Sequence, residues 1–312
     1  MRDASGNSFY LALACIVLAV VFWGVSFIST KVVLRVLSPV GVAFLRQLIA
    51  LLVLVPWAAR SRALVRVTLR DAGLLALSGL FGIVFYFVCE NTGLKYTTAS
   101  NASMLVAALP VFTMVTESLF FGLRVTWAMV LCVAASVAGV YLLVTVNGRL
   151  DFSSARLLGN GLVLLAMGSW VVYTVLNRKL AKAYSSLTVV VYQTFAGALL
   201  FVPLIAGEAR LLLAFREYPL PLLGHLIFLG VCCSAVSYFA YVYAVRRLGA
   251  TVAAAFLNLI PVVTAAGGYL VLGERLAWLQ VGGMALVMGA VYGLSRLSLD
   301  AQVPTGAGSL PA

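Results

Sequence analysis

The chain has 312 residues, 63% hydrophobic and 10% charged, whereas about a quarter of the residues in a soluble domain are charged, so a water-soluble globular fold is excluded. The formal net charge of +12 lies beside apolar runs, where it reads as an orientation signal rather than a nucleic-acid surface. Cys15, Cys89, Cys132, Cys232 and Cys233 all fall inside those runs and read as small apolar packing residues, with no disulfide frame and no metal site implied.

A bilayer-spanning helix needs roughly 20 apolar residues. Ten runs meet that requirement, at about 10 to 30, 39 to 58, 72 to 92, 98 to 121, 126 to 146, 158 to 178, 187 to 206, 221 to 244, 250 to 272 and 278 to 296. The expected fold class is therefore an all-α membrane protein with ten transmembrane helices. The first run is too long for a signal-peptide core and is expected to remain as a span. It carries Trp23 away from either end, where an indole packs against a ligand or another helix and needs a partner for its N–H. The second run holds Arg46, the only lysine or arginine away from the last residue of a run, which reads as a salt-bridge or snorkelling residue at the outer helix end.

In the third run Gly79, Gly82, Tyr86 and Glu90 recur at spacings of three, four and four, which on a helix places them on one face able to line a cavity. Glu90 there either pairs with a substrate amine or takes up a proton, or else solvates the helix end at the membrane surface; the residues leave these readings open. The fourth run offers Ser100, Asn101, Ser103 and Met104, then Pro110, and late in it Glu117, within reach of Arg124. Trp170, followed by Tyr173, stands in the interior of the sixth run. The eighth contains Ser234, Ser237, Tyr238, Tyr241 and Tyr243, and the ninth Thr251, Asn258, Pro261, Gly267 and Gly268. Gly282 and Gly283 in the tenth suit close helix packing, and the residues from Ala301 onward read as a disordered tail.

The chain is internally duplicated. A shift of 151 carries Gly79 onto Gly230, Pro110 onto Pro261, Gly122 onto Gly273, Arg124 onto Arg275, Trp127 onto Trp278 and Tyr141 onto Tyr292, and a shift of 147 carries Trp23 onto Trp170 and Pro56 onto Pro203. The division is into a first repeat at 1–148, a second at 149–300 and a tail at 301–312. Five spans per repeat return the chain on the opposite side, so the repeats are expected to be inverted, with a substrate site between them near the midplane. Each proline removes a backbone donor and frees a carbonyl one turn earlier, so Pro110 and Pro261 form a matched pair of candidate gating bends. The repeats differ where Tyr86 meets Ser237 and Glu90 meets Tyr241, as an oriented ligand requires.

With a cytoplasmic N-terminus the inner side carries twelve basic residues against eight outside, which favours both termini inside a bacterial-type inner membrane. No Walker loop and no HExxH occurs, and His225 is the only histidine, so ATP-driven and metal-dependent mechanisms find no motif here.

The run Glu90-Asn91-Thr92-Gly93-Leu94-Lys95-Tyr96-Thr97-Thr98-Ala99-Ser100-Asn101-Ala102-Ser103, then Pro110, the run Gly273-Glu274-Arg275-Leu276, and Trp23-Gly24 with Lys31 resemble the drug/metabolite transporter superfamily, EamA type. The resemblance covers about residues 10 to 297. It departs at Gly122-Leu123-Arg124, where the family has Gly-Glu-Arg, and Glu117 is the available substitute partner for the arginine. It implies two inverted five-helix repeats around a central cavity, with Trp23, Tyr86, Glu90, Ser103, Trp170, Ser237, Tyr238, Tyr241 and Asn258 as substrate-binding residues. It also implies export of amino acids or other small metabolites, aromatic amino acids being the nearest type.

The expectation is a secondary transporter working by alternating access, with no catalytic residue, cofactor or metal. Its partners are a small-molecule substrate, the lipid bilayer and a coupling proton, and nucleic acid is not among them. The alternatives are a phosphorylated-sugar or nucleotide-sugar exchanger, which needs several basic residues in its cavity, and a non-transporting membrane assembly subunit.

Overall fold

The computed structural model describes residues 2–97, 102, 105–106, 109–145, 154–208, 218–264 and 278–302, and among them there is no strand. In chain order the helices are α1 (Arg2–Val33), α2 (Pro39–Arg60) and α3, the last made of Leu69–Gly79, Leu80–Phe85 and Tyr86–Tyr96. Then follow α4 (Leu109–Phe121), α5 (Trp127–Thr145), α6 (Ser154–Ala183) and α7 (Ser186–Ile205). The last three are α8, made of Leu220–Phe228, Leu229–Val236 and Ser237–Leu248, then α9 (Ala250–Leu257) and α10 (Trp278–Gln302).

Among the described residues, the six stretches Ser8–Val33, Pro39–Arg60, Leu69–Tyr96, Leu157–Ala183, Ser186–Glu208 and Leu220–Leu248 are long and apolar enough to cross a membrane. Leu109–Phe121, Trp127–Leu142, Ala250–Thr264 and Val281–Leu294 are shorter apolar helices. Residues 303–312 of the expected tail lie outside the described residues, while Ala301 and Gln302 close α10.

Burial is arranged for an apolar solvent. Leu52, Leu119, Phe120 and Leu199 are exposed, while Arg46, Glu90, Glu117 and Gln193 are buried. In hydrocarbon a polar group must find its partner inside the protein, so this arrangement is that of a multi-pass membrane protein. The helix starts are set locally: Ser38, Thr68 and Ser185 each accept a hydrogen bond from the amide three residues on, satisfying a donor that the first turn leaves free. Gly249, at φ +88°, ends α8 and turns the chain directly into α9, a backbone state that other residues adopt only with strain.

Two segments are π-helical, Leu80–Phe85 in α3 and Leu229–Val236 in α8. The 151-residue shift takes 80–85 to 231–236, inside the second segment, so the departure is duplicated along with the sequence. A π turn takes one extra residue, rephases the face beyond it and loosens the carbonyl ladder. This corrects the expectation of one uniform face in α3. Before and within the π segment, Gly79 faces the Gln193 carbonyl of α7 and Gly82 faces the Tyr173 ring of α6, whereas Tyr86 and Glu90 beyond it turn to a cavity.

The halves interlock through close backbone approaches. A Cβ on Gly79 would lie 2.7 Å from the Gln193 oxygen, and one on Gly230 would lie 2.5 Å from Ile49 Cβ in α2. Gly93 and Gly159 likewise seat α3 on α6, and Gly139 meets the Gly283 carbonyl, an internal contact of α10 with α5, whereas a Cβ on Gly282 would meet nothing within 4 Å. The matched glycines are thus contact points between halves.

Candidate functional site

The interior of the seam is an aromatic cluster. Trp23 of α1 meets Trp170 of α6 edge to face at 5.3 Å, and Tyr238 of α8 stands 5.9 Å from the first and 5.5 Å from the second. Tyr86, Tyr173 and Tyr241 pack on Trp170 at 5.0, 4.9 and 5.1 Å. Aromatic pairs at these separations add about 0.5–1.5 kcal/mol each beyond the area they bury.

The polar tips of the rings are held by the two π segments. The Tyr238 hydroxyl donates to the Gly82 carbonyl at 2.8 Å and the Trp23 indole N–H to the Cys233 carbonyl at 2.9 Å. Ser169 of α6 donates to the Phe81 carbonyl, and Ser237 donates to Cys232 at 2.7 Å. A loosened ladder exposes carbonyls at membrane depth; three of these are satisfied by donors from the opposite half and the Cys232 carbonyl by Ser237 of its own helix. The Trp170 Nε1 is buried and makes no hydrogen bond of ordinary geometry, so the equivalent tryptophans differ in how they are held.

Beside the cluster lies a cavity lined by Trp23, Arg46, Tyr86, Glu90, Trp170 and Tyr238. Its apolar wall is built of pairs equivalent under the 151 shift, Val106 with Leu257 and Leu109 with Ile260. The volume is about 30 Å³, against roughly 300 Å³ or more for a ligand pocket. In this conformation the cavity is too small to hold a ligand of that size.

The charged groups in this wall are Arg46 and Glu90. Arg46 is among the largest fully buried side chains, at 2% exposure. Its Nε donates to Ser234 Oγ at 2.8 Å and its guanidinium lies 4.0 Å from the centre of the Phe87 ring. The expectation of a snorkelling or salt-bridging Arg46 at the helix end is corrected: α2 packs against the α8 π segment, which brings Ser234 to the arginine and closes the route to the surface. Glu90, 7% exposed, accepts from the Tyr86 hydroxyl at 2.7 Å, so it belongs to the cavity wall and not to the membrane surface. A lone intramembrane arginine is legible in sequence, whereas the direction it faces is not.

Of the residues expected to bind substrate, Trp23, Tyr86, Glu90, Trp170 and Tyr238 line the cavity. Tyr241 joins the aromatic cluster and exchanges a hydrogen bond with Thr174 at 2.8 Å. Ser237 turns to its own backbone, and Asn258 turns to Ser136 of α5, at 2.6 Å. Ser103 lies outside the described residues, as do Ser100, Asn101, Met104, Gly267, Gly268 and the run Gly273-Glu274-Arg275-Leu276.

Pro110 and Pro261 are both buried and directly follow the cavity-lining Leu109 and Ile260. Just before Pro261 the helix is interrupted by a turn, where Asn258 and Leu259 bond three residues back rather than four. Glu117 does not pair with Arg124, which is exposed. It accepts instead from Arg178 of α6 and, at 2.6 Å, from Thr251 of α9, because the end of α4 packs between those helices. Arg178 also lies over the Phe121 ring at 4.4 Å.

The sequence model of the EamA-like transporter family matches residues 10–145 and 157–296. The chain is similar to a probable terminal-alkyne amino-acid exporter from Streptantibioticus cattleyicolor, 29% identical over 288 residues, covering 92% of this chain and 94% of the relative. It is also similar to an uncharacterized transporter from Archaeoglobus fulgidus, 27% identical over 88% of this chain and 95% of the relative. A probable amino-acid metabolite efflux pump from Escherichia coli is 26% identical over 88% of this chain and 91% of the relative. A solved crystal structure shares the fold with a TM-score of 0.71 at 17% identity, covering 95% of this chain and 99% of the other.

Proposed function

We propose, from the premise that this chain belongs to the EamA-like transporter family, that it is a secondary exporter of amino acids or closely related small metabolites working by alternating access. The observation that carries the reading is the narrow, aromatic-walled cavity between the halves, with the Glu90 carboxylate in its wall. The names of the Streptantibioticus and Escherichia relatives support amino-acid export as the substrate class.

In this reading the chain forms ten spans in two inverted five-helix repeats, in an inner membrane with both termini cytoplasmic. Trp23, Tyr86, Trp170 and Tyr238 hold the solute, with Tyr241 behind them and with Ser103, Ser237 and Asn258 as further polar groups of the two repeats. Glu90 reads the substrate amine or carries the coupling proton. Pro110 and Pro261 are the matched bends about which the halves open alternately. The Glu117–Arg178–Thr251 contact joins α4 to α6 and α9 and has to part when that end opens.

A phosphorylated-sugar exchanger is disfavoured by charge, since a phosphate dianion needs several cations and the cavity wall holds one, Arg46, together with the anionic Glu90. The test is counterflow of labelled amino acids in proteoliposomes, with and without a pH gradient. Saturable exchange is expected. Absence of flux for every amino acid by folded protein, with tight binding of a lipid or partner protein instead, would point to an assembly subunit and overturn the reading.

A further inference from the structure

The two halves present equivalent scaffold to the cavity but unequal charge. The 147 shift that aligns Trp23 with Trp170 takes Arg46 to Gln193, and the 151 shift takes Glu90 to Tyr241. Gln193 is fully buried and donates to Ser78 at 2.7 Å and Asn177 at 2.6 Å, a polar contact between helices. Arg46 and Glu90 are therefore departures from a neutral pattern, both in the first half, and both in the wall of one cavity. An ion pair that served only packing would join them directly. Among the described residues the recorded pair is Arg178 with Glu117, whereas Arg46 and Glu90 hold the neutral partners Ser234 and Tyr86.

The way each group is held leaves its reactive side available. Ser234 takes the Arg46 Nε and the Phe87 ring takes one face of the guanidinium, and neither occupies the Nη edge. Tyr86 takes one Glu90 oxygen and leaves the other. A guanidinium fixed by Nε and by stacking presents its remaining donors in a rigid fork, the geometry that takes a carboxylate in two parallel bonds. Arg46 and Glu90 share the wall of one small cavity and offset part of each other's burial cost, and a ligand of both signs supplies each with a directly bonded partner.

We propose that Arg46 reads the substrate carboxylate while Glu90 reads its ammonium, so that the site selects zwitterionic α-amino acids and places their apolar side chains on the Trp23–Trp170–Tyr238 wall. This rests on the transport reading above and narrows it. The cavity wall is balanced, one cation against one anion, which fits a solute carrying both and no net charge. An amine without a carboxylate leaves Arg46 buried and unmatched, and an acid without an amine leaves Glu90 so.

The test uses the full chain in proteoliposomes and four probes that share one side chain: phenylalanine, phenylalaninamide, phenethylamine and 3-phenylpropanoate. Phenylalanine should drive counterflow at least about tenfold better than each of the others, since a site built to bond a group rejects analogues lacking it. In Arg46→Gln, checked for folding by its melting transition, the preference for phenylalanine over its amide should collapse to about twofold or less, with Arg46→Lys intermediate. Wild-type counterflow with amide or amine equal to phenylalanine overturns the proposal and leaves amino-acid transport standing. So does a folded Arg46→Gln that keeps the full preference. Wild-type protein that exchanges none of the proteinogenic amino acids overturns the transport reading and this proposal with it.

Discussion

Trp23 and Trp170 stand edge to face, 5.3 Å apart with ring planes at 90°, and join α1 to α6 across the seam between the halves. They occupy equivalent sequence positions yet have different duties, since Trp23 donates its N–H to Cys233 and the Trp170 N–H makes no hydrogen bond of ordinary geometry. Trp23→Phe should therefore lower stability by about 1 kcal/mol more than Trp170→Phe, the net worth of a buried hydrogen bond. Trp170→Phe should lower transport more than Trp23→Phe does. Melting transitions and counterflow rates of the two variants check both statements, and equal effects would contradict them.

Glu90 is buried on the cavity wall with Tyr86 as its hydrogen-bond partner. Glu90→Gln keeps the shape and the acceptor for Tyr86 but removes the charge. Counterflow of phenylalanine should fall by about tenfold or more, the value of one lost charge-assisted contact. Acceleration by a pH gradient should disappear if the carboxylate carries the proton. Unchanged rates and unchanged pH response would make the carboxylate structural.

Glu117 bonds Arg178 and Thr251 and is 2% exposed, so it ties α4 to both helices of the other half. Arg178→Ala should destabilise by about 1–3 kcal/mol, because it leaves a buried carboxylate short of a partner. Arg178→Ala with Glu117→Gln should recover part of that loss. A double-mutant cycle on melting transitions reads the coupling, and additive losses would show that the contact is not a unit.

Glycines predict opposite signs by position. At Gly79 an added Cβ would lie 2.7 Å from the Gln193 oxygen, whereas at Gly73 a Cβ would meet no atom within 4 Å. Gly79→Ala should destabilise by about 1–3 kcal/mol through overpacking, and Gly73→Ala should stabilise by about 0.5–1 kcal/mol through lower chain entropy. Thermal denaturation in detergent distinguishes them, and the same sign for both would refute the packing account.

Pro110 and Pro261 are equivalent and follow cavity-lining residues. If they are the bends of the transport cycle, Pro261→Ala should raise the melting temperature while slowing counterflow, because a continuous helix is more stable and less able to open. A variant both more stable and equally fast would separate the proline from gating.

The membrane class and the duplication were legible because each is written in residue type and distance along the chain. Hydrophobic runs of spanning length need no tertiary knowledge. Trp23, Trp170, Tyr86, Glu90 and Tyr238 could be named because large or charged groups inside apolar runs are few, and each must find a partner in the interior. Asn258 and Ser237 met the same criterion and turned to Ser136 and to the Cys232 carbonyl instead. Their short polar groups are satisfied by neighbours that lie far away in sequence or on their own helix. The arginine nearest Glu117 along the chain is Arg124, whereas helix packing brings Arg178 to it.

The sequence by itself determined that this chain is a multi-pass membrane protein, with a small set of polar and aromatic residues inside its apolar runs. The tertiary structure decided which of them share a cavity. The duplicated π segments rephase α3 and α8, so spacing on a regular helix no longer tells which way Gly82, Tyr86 or Ser237 points. The packing of α2 on α8 turns Arg46 from a candidate surface anchor into a buried charge facing the same space as Glu90. Hydropathy depends on each residue alone and survives reading along the chain, whereas the direction of a side chain depends on helix phase and on contacts between halves, which only the folded chain contains.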